Sequence, residues 1–311
     1  MTSVVLVADI GGTNTRIAPA REGQIDVGAV TKYRNADHPH LENILSLEIA
    51  KHAPTQLCIA LAGPIQNGVG SMTNLPWVID PSAIQQTFDL RGCFLLNDLQ
   101  AQAWAITTLH DETLETWVDA PRRADGTALV FNIGTGCNIA VQHVSEQGRF
   151  VPPAEAGHTD LTVKSEQEFH LRAFLAAEYG EPSVEGLLSG RGLVSAYHFF
   201  GGAAGTEPAQ IINECRVDRT SIAAQAVDIV LKKLADCIGD HALIHMPVGG
   251  IYLVGGVIHH LAEFKDDRFD AAFYDKGRFG DFMRQFAVMR VRDDLAALKG
   301  CYTFLRSQPS R

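Results

Sequence analysis

The segment that decides the fold is VLVADIGGTN at residues 5–14, which continues into a second apolar stretch at 15–18. A near-copy, LVFNIGTG, follows at residues 129–136 and continues into the apolar stretch at 137–141. Each copy predicts a buried strand, a turn that contains two glycines and a threonine, and another strand. Glycine lets a turn backbone approach a ligand closely, and its amide groups, helped by the threonine hydroxyl, can bind phosphate oxygens. Two such units favour two halves of one fold that bind a polyphosphate.

Length and composition are those of a globular enzyme. The chain has 311 residues, of which 46% are hydrophobic and 20% charged, and chains of this length usually divide into two domains. The net charge of −10 argues against nucleic acid as a general partner, because Lys and Arg are not in excess to neutralise phosphates. Six scattered cysteines without a CxxC pair fit reduced thiols in a cytoplasmic protein. We expect neither an export signal nor a membrane span, since no apolar run reaches roughly 18 residues.

Hydrophobic periodicity predicts a βββαβα order that is repeated along the chain. The first half contains predicted strands at 3–10, 14–20, 24–33, 56–61 and 93–96, and predicted helices at 40–52, from Asp80-Pro81 onward, and at 99–106. The second half contains predicted strands at 127–133, 137–144, 149–152 and 251–254, and predicted helices from Ser165 to about Tyr179 and at 219–238. Ser165 and Glu168 match a capping box. The repeated order predicts two α/β lobes with a cleft between them.

Asn97 and Asp98 come directly after the apolar strand at 93–96. The carboxyl end of a strand is where α/β folds bind ligands. A phosphoryl-transferring enzyme needs a carboxylate that orients the acceptor hydroxyl and takes its proton, and Asp98 is our candidate for this base. The two residues could instead simply cap the helix that follows, which is what Asp usually does after a strand. The spacing alone leaves both interpretations open.

A second polar cluster contains Glu155 and His158, on either side of Gly157. A carboxylate and an imidazole together offer the acceptor and the donor that sugar hydroxyls need. A metal site and an ordinary surface-loop histidine are the alternatives, and no clear third metal ligand is nearby. Glu185 is a weaker candidate, because a lone Glu near a helix start usually interacts with the helix dipole.

Asp9 and Asn132 are the corresponding residues of the two copies and differ in charge. An acid beside the first turn can hold Mg²⁺ or its waters next to a transferred phosphate, whereas a neutral second turn can bind phosphate through amide groups. Gly255 and Gly256 follow the strand at 251–254. They would let an adenine or ribose lie against the backbone, although taken alone they indicate only close packing of a strand and a helix.

In order and spacing these motifs resemble those of bacterial ATP-dependent glucokinases, in the actin-like sugar-kinase and heat-shock-chaperone superfamily. The resemblance extends to about residue 305 and depends on DIGGTN at 9–14, MTN at 72–74, ND at 97–98, GTG at 134–136, EAGH at 155–158, Glu185 with LSG at 188–190, GG at 255–256 and KGRF at 276–279. It implies a two-lobed actin-like (ribonuclease H-like) α/β fold with a cleft. Residues 1–107 and 291–311 would form the small domain, and residues 108–290 the large one.

The resemblance also implies an activity and the roles of individual residues. Such a protein would phosphorylate the 6-hydroxyl of D-glucose with ATP and Mg²⁺, would feed glycolysis in the cytoplasm, and would usually form a homodimer. Asp98 would be the general base, and the sugar would be bound by Asn74, Asn97, Asp98, Glu155, His158 and Glu185. Mg-ATP would be bound by Asp9, Ile10, Gly11, Gly12, Thr13, Asn14, Gly134, Thr135, Gly136, Gly255 and Gly256, with Asp9 near the metal through water.

The chain departs from the family pattern in places that remove no proposed reacting group. Cys137 and Asn138 stand where relatives are often richer in glycine, Arg191 stands where Pro is common, and residues 291–300 lack the Pro-Gly-Leu that often begins the last helix. The enzyme alternative is another hexose or N-acetyl-hexosamine kinase of the superfamily, although the ROK group typically carries a Cys-rich zinc motif that the unpaired cysteines do not match. A non-catalytic sugar sensor is a remote alternative, against which the presence of Asp98 speaks.

Overall fold

The computed structural model describes residues 4–72, 75–180 and 182–308. Its internal contacts divide the chain into two compact units. The first unit consists of Met1–His110, Ser145–Pro153 and Asp293–Arg311, and the second consists of Asp111–Val144 and Ala154–Arg292. The large domain predicted from the sequence, residues 108–290, included the segment Ser145–Pro153, which here belongs to the first unit.

The first unit is built on a sheet in the order β3-β2-β1-β5-β9, with β4 also paired to β2, and on a small separate sheet in the order β6-β7-β8. Its strands are β1 (Val5–Ile10), β2 (Asn14–Arg21), β3 (Gln24–Ile25), β4 (Thr31–Arg34), β5 (Gln56–Leu61), β6 (Ile65–Gln66), β7 (Val69–Ser71), β8 (Val78–Ile79) and β9 (Gly92–Asn97). Its helices are α1 (Leu41–His52), α2 (Pro81–Thr87), α3 (Asp98–Ala105) and, from the C-terminal part of the chain, α11 (Ala296–Ser307).

The core of the first unit explains why its central strands read as continuous apolar runs. β1, β5 and β9 are parallel to one another, and strands of a parallel sheet that are covered on both faces need apolar residues at nearly every position. Leu41, Ile44 and Leu45 of α1 pack into the same core as Leu57 and Ile59 of β5. Helix α11 packs against α3 and against β1.

The single strand predicted at 24–33 is wrong, because the structure divides it into β3 and β4 with a 3₁₀ turn at Val27–Ala29 between them. Both strands pair with β2, β3 opposite Ala20 and β4 opposite Ile17. Pro19 lies between these two pairings. Since proline has no N–H to donate to a ladder, regular pairing is interrupted there.

The second unit repeats the sheet of the first. Its strands are β10 (Leu114–Val118), β11 (Ala128–Ile133), β12 (Cys137–Ser145), β14 (Ile251–Val254) and β15 (Val288–Val291), while β13 (Gly148–Phe150) lies in the segment that packs with the first unit. In both units an antiparallel hairpin is followed across the sheet by two parallel strands, β2-β1-β5-β9 in the first and β12-β11-β14-β15 in the second. The duplication predicted from the two glycine turns is therefore confirmed in the topology.

The helices of the second unit surround α8. They are α4 (Glu166–Tyr179), α5 (Val184–Leu187), α6 (Gly190–Phe199), α7 (Pro208–Val217), α8 (Ile222–His245), α9 (Gly256–Leu261) and α10 (Asp267–Tyr274). Helix α8 begins after the predicted start at 219 and continues past 238 to His245. It packs against α6, α7 and α10. Among the described residues, no helix has both the length and the apolar character required to cross a membrane.

The capping box predicted at the start of α4 is only half formed. The Ser165 hydroxyl accepts the Glu168 N–H at 3.2 Å, as predicted. The Glu168 carboxylate does not return to Ser165, because it is buried and instead accepts from Lys164 N–H at 2.8 Å and from the ammonium groups of Lys232 and Lys233. A buried carboxylate is stabilised far more by cations than by a neutral amide.

Candidate active site

Three parallel strands of the first unit end side by side. Ile10 at the end of β1 lies opposite Leu61 of β5, and Leu61 lies opposite Asn97 of β9. Because neighbouring strands are about 4.8 Å apart, the first glycine turn and the Asn97-Asp98 pair are separated by only about 10 Å along this edge. The structure thus brings the predicted phosphate turn and the predicted base to the same carboxyl-end edge, where parallel α/β sheets bind ligands.

Asn97 and Asp98 both contact the backbone at the start of α3. Asn97 is the N-cap residue: its Oδ1 accepts the Leu99 N–H at 3.0 Å, and its own N–H donates to Gln100 Oε1 at 3.0 Å. Asp98 is the first residue of the helix, half-buried, and its Oδ1 also accepts the Leu99 N–H at 2.9 Å. Both side chains therefore bond to the start of the helix, with the reciprocal cap formed by Asn97 and Gln100, and the role of Asp98 as a base stays a prediction. Gln100, which sequence reasoning missed, fixes this corner further by donating to the Val151 carbonyl at 2.8 Å.

The first glycine turn is held by a buried asparagine that sequence reasoning also missed. Asn35 donates through Nδ2 to the Gly11 carbonyl at 2.8 Å and through its own N–H to the Thr13 carbonyl at 2.9 Å. Its Oδ1 accepts the Thr15 hydroxyl at 2.8 Å, and both side chains are fully buried. Since a trans peptide points its C=O and N–H in opposite directions, the carbonyls that face Asn35 turn the following N–H groups to the other side of the turn.

Asp9 lies at the end of β1, and its side chain is 23% exposed. Burial raises the pKa of its carboxyl group, and Arg16, whose Nη1 is 3.9 Å from Asp9 Oδ2, partly opposes this. A cation that binds beside a partly desolvated carboxylate stabilises its charged form. In the described part of the chain, no group of three or more His, Cys, Asp or Glu side chains is arranged to hold a metal. The donor set therefore fits Mg²⁺ held by one carboxylate together with substrate phosphates.

The second glycine turn is packed against the segment that begins α6. Gly134 N–H donates to the Gly136 carbonyl at 2.9 Å, and Gly190 N–H donates to the Gly134 carbonyl at 3.0 Å. A Cβ atom on Gly136 would lie 2.6 Å from Oε2 of Glu185. A side chain at Gly136 would therefore displace the carboxylate of Glu185, a contact that the sequence did not reveal.

Gly255 and Gly256 have different reasons to be glycine. Gly255 has a φ of +105°, and a Cβ on it would collide with the backbone of Ile133 at the end of β11. The close approach of the turn between β14 and α9 to the end of β11 thus explains why residue 255 is a glycine. A Cβ on Gly256 would meet nothing within 4 Å among the described atoms. Packing therefore does not explain Gly256, which stays a candidate for contact with the adenosine.

The first two residues of β12 contact the two acids of the predicted sugar site. Cys137 N–H donates to Glu185 Oε2 at 3.0 Å, and Asn138 Nδ2 donates to Glu155 Oε2 at 3.1 Å. Glu155 and His158 are exposed, and Glu185 is half-buried. The structure thus brings Glu155, Glu185 and the second glycine turn into one region of the second unit.

His158 and Glu185 each lie in a short helical segment of this region. His158 ends the 3₁₀ turn Ala156–His158, which begins directly after Glu155. Glu185 lies near the start of α5, as predicted, and its Oε1 is 3.7 Å from Arg191. Asn74, the remaining predicted sugar ligand, lies outside the described residues.

The duplicated sheet, with a glycine turn at the carboxyl edge of each copy, defines an actin-like α/β fold. A family model described as Glucokinase matches residues 6–308. The chain therefore belongs to the glucokinase family of enzymes, and the predicted kinase class is confirmed.

Individual relatives agree with this assignment. A glucokinase of Yersinia enterocolitica is 30% identical to this chain and covers 99% of it, over 98% of its own length. The crystal structure of a glucokinase from an Antarctic psychrotroph matches with a TM-score of 0.92 at 26% identity and covers 99% of this chain and 100% of that one. A ROK family glucokinase of Streptomyces griseus in complex with glucose and AMPPNP shares the fold, with a TM-score of 0.65, 18% identity and coverage of 98% of this chain and 100% of that one. The predicted actin-like two-domain fold is thereby confirmed.

Proposed function

We propose that this chain transfers the γ-phosphoryl group of ATP to the 6-hydroxyl of D-glucose and releases ADP and glucose 6-phosphate. The observation that carries the proposal is the match of the glucokinase family model to residues 6–308. This range contains both glycine turns, Asp98 at its strand end and the polar cluster around Glu155. The complex of the Streptomyces griseus relative with glucose and AMPPNP supports the same pair of substrates.

Asp98 acts as the general base in this proposal. Its carboxylate orients the 6-hydroxyl and accepts its proton while the hydroxyl oxygen bonds to the γ-phosphorus. The bond between the γ-phosphorus and the β–γ bridging oxygen breaks, and ADP leaves with that electron pair. The position of Asp98 directly after the carboxyl end of β9 supports this role, because parallel α/β sheets bind their ligands at that edge. Asn97 binds a neighbouring hydroxyl through its Nδ2 group.

Glu155, His158 and Glu185 bind further sugar hydroxyls, together with Asn74. The accessibility of Glu155 and His158 supports this role. Both carboxylates are also held by a hydrogen bond to Oε2. Asn138 donates to Glu155, and the Cys137 N–H donates to Glu185. A preoriented carboxylate loses less side-chain freedom when it accepts a hydroxyl, which favours binding.

The two glycine turns bind the phosphates of ATP. In the first turn the residues are Asp9, Ile10, Gly11, Gly12, Thr13 and Asn14, and in the second Gly134, Thr135 and Gly136, with Gly255 and Gly256 beside the adenosine. Gly12, Thr13 and Thr135 are exposed, which supports their contact with a ligand. Mg²⁺, when bound, neutralises charge on the phosphates, and Asp9 holds it through water.

We further propose that the enzyme acts in the cytoplasm, at the entry of glucose into glycolysis, as a homodimer. The family resemblance supports all three statements. The six cysteines are unpaired and buried, which fits a reducing compartment. Sedimentation velocity tests the dimer directly, since a sedimenting mass equal to one chain contradicts it.

A coupled assay with Mg-ATP and a panel of hexoses tests the activity. The panel contains glucose, mannose, glucosamine, fructose and N-acetylglucosamine. We expect the highest kcat/KM for glucose. Faster phosphorylation of N-acetylglucosamine or fructose would contradict glucose as the substrate. Glucose binding without any phosphoryl transfer would contradict the kinase activity and favour a sugar sensor.

A further inference from the structure

Asn138, the second residue of β12, occupies a place where its side chain meets the polar cluster. Its Oδ1 accepts the N–H of Ile139 at 2.8 Å and that of Ala156 at 2.9 Å. Its Nδ2 donates to the Ala154 carbonyl at 2.6 Å and to Glu155 Oε2 at 3.1 Å. Both ends of the amide are therefore bonded, and three of the four bonds go to the consecutive residues 154–156.

These contacts fix both the backbone and the side chain of Glu155. The bonds to Ala154 and Ala156 hold the peptide groups on either side of Glu155, whose φ is −132° and which begins the 3₁₀ turn. The bond to Oε2 holds the carboxylate itself. The Glu155 carboxylate thus accepts a hydrogen bond from the same side chain that bonds the peptide groups on both sides of it. Because Glu155 is exposed, its side chain has no tight packing that could replace this bond.

We propose that Asn138 is a positioning residue that presents the Oε1 atom of Glu155 to a hydroxyl of the sugar and thereby sets the affinity for glucose. This inference depends on the proposed function. The neutral amide is essential to it, because Asn138 must donate to a carboxylate through one end and accept from a backbone N–H through the other. Aspartate has the same shape but no donor, and glycine or alanine offers neither group.

The predicted effect is specific for the sugar. Asn138→Ala removes the bond to Glu155 and the support of the neighbouring peptides, so Glu155 samples other rotamers. We expect the KM for glucose to rise about 5- to 20-fold, the range of one or two lost hydrogen bonds. The KM for ATP should change less than twofold, since the four hydrogen bonds of the Asn138 side chain go to residues 139 and 154–156 and not to the turn at 134–136. The matched control is Asn43→Ala, because Asn43 Oδ1 accepts the His40 N–H at the start of α1 in the first unit.

The variant Asn138→Asp gives a readout that a merely structural role would not produce. It places a second carboxylate beside Glu155 Oε2, and two carboxylates at this distance raise the pKa of one of them. Below that pKa the two carboxyl groups share a proton, so one of them donates a hydrogen bond to the other. Above it both are ionised and repel each other. The loss of glucose affinity in Asn138→Asp should therefore grow as the pH rises through that pKa, from about 5 to about 7, because an exposed Glu ordinarily titrates near 4.3 and a like charge raises its pKa. The other charged or titratable groups of this region are His158, Glu185 and Arg191, and they are unchanged in every variant.

The experiment measures kcat and KM for glucose and for ATP at pH 5, 6 and 7 in wild type, Asn138→Ala, Asn138→Asp and the double variant Asn138→Asp/Glu155→Gln. The double variant reverses donor and acceptor, so the excess pH dependence should disappear. Thermal unfolding of each variant separates misfolding from loss of position. Equal increases of KM for glucose and ATP, or an Asn138→Asp defect without pH dependence, would overturn the positioning role. If instead the wild type itself fails to phosphorylate glucose, the proposed function fails and not this inference alone.

Discussion

The two glycine turns are similar in sequence and are held by different groups. The first hairpin pairs Ile10 with Thr15, and the second pairs Ile133 with Cys137, so the second turn is one residue shorter. The first turn follows the carboxylate of Asp9 and is bonded from one side to the buried Asn35. The second follows a neutral residue.

The second turn also has different neighbours. Gly190 donates to it, and the carboxylate of Glu185 lies so close to Gly136 that a side chain there would collide with it. The repeated motif thus forms a hairpin with a glycine turn in each unit, whereas the length of the turn and the side chains packed against it differ. In our proposal the first turn binds phosphate next to the cation, and the second turn binds phosphate next to the residues that bind the sugar.

The largest expected effect comes from the edge that the first turn shares with Asp98. Asp98→Asn keeps the size and the hydrogen bond to Leu99 N–H but cannot accept the proton of the 6-hydroxyl. General-base steps contribute about 10²–10⁴-fold, so kcat should fall by that order. Glucose affinity from calorimetry should change far less, because most hydroxyl contacts come from other residues.

A pure helix cap provides the control for this variant. Asp80 caps α2 by accepting the N–H groups of Ser82 and Ala83. Asp80→Asn should retain full activity, because Asn caps as well as Asp. A kcat of Asp98→Asn within a few-fold of wild type would restore the capping interpretation and remove the base from the first unit.

The second hairpin should be the more acid-sensitive of the two because of His241. This residue of α8 lies edge-on to Phe131 of β11, with ring centroids 6.0 Å apart. Burial, and then the neighbouring His245, lower the pKa of His241 to about 4. The unfolded chain binds this proton near pH 6.5 and the folded chain does not, so stability present above pH 6.5 is lost as the pH falls toward 4, by at most about 2–3 kcal/mol.

His241→Phe should therefore reduce the difference between the thermal unfolding midpoints at pH 7.5 and pH 4.5. The exposed His170→Gln, on α4, is the control. If both variants keep the wild-type difference, His241 does not carry this acid sensitivity.

A smaller effect should follow from loosening the first turn alone. Asn35→Ala removes the donor to the Gly11 carbonyl and the acceptor of the Thr15 hydroxyl, so the turn loses its fixed shape. We expect the KM for ATP to rise about tenfold, as for one or two lost hydrogen bonds, while the KM for glucose stays within twofold. Steady-state kinetics with both substrates varied checks this.

Thr15→Val is the matched control for the first turn, because it removes the buried hydroxyl and leaves the bond between Asn35 and Gly11 in place. It should lower the unfolding temperature with a much smaller change in the KM for ATP. Similar KM values for ATP in both variants would mean that Asn35 only stabilises the fold.

The parts of the site that depend on local patterns were predictable from the sequence. The two hairpins, the strand that precedes Asn97 and the start of α2 at Asp80 each follow from a short run of residues with strong strand, turn or capping preferences. The position of Asp98 on the ligand-binding edge followed from the general rule for parallel sheets. Contacts between residues that are far apart in the chain could not be predicted in this way.

Asn35 and Asn138 illustrate what local patterns cannot give. Asn35 lies in a 3₁₀ turn after β4, and its contact with the first turn arises because β4 pairs with β2. Asn138 reads as a departure from a glycine-rich pattern, and only the fold shows that it faces residues 154–156. Likewise, Gly136 fits a phosphate turn by sequence, whereas its contact with Glu185 requires the packing of α5.

The difference between the two turns is tested most directly by glucose calorimetry, without nucleotide, on Gly11→Ala and Gly136→Ala. A Cβ on Gly136 lies 2.6 Å from Glu185 Oε2 and must displace it, whereas a Cβ on Gly11 lies at an ordinary 3.6 Å from the Asn14 carbonyl. We predict that Gly136→Ala weakens glucose binding about tenfold, as for a lost hydrogen bond to a charged group, and that Gly11→Ala leaves it within twofold. Equal glucose affinities in the two variants would contradict the separate roles of the two turns.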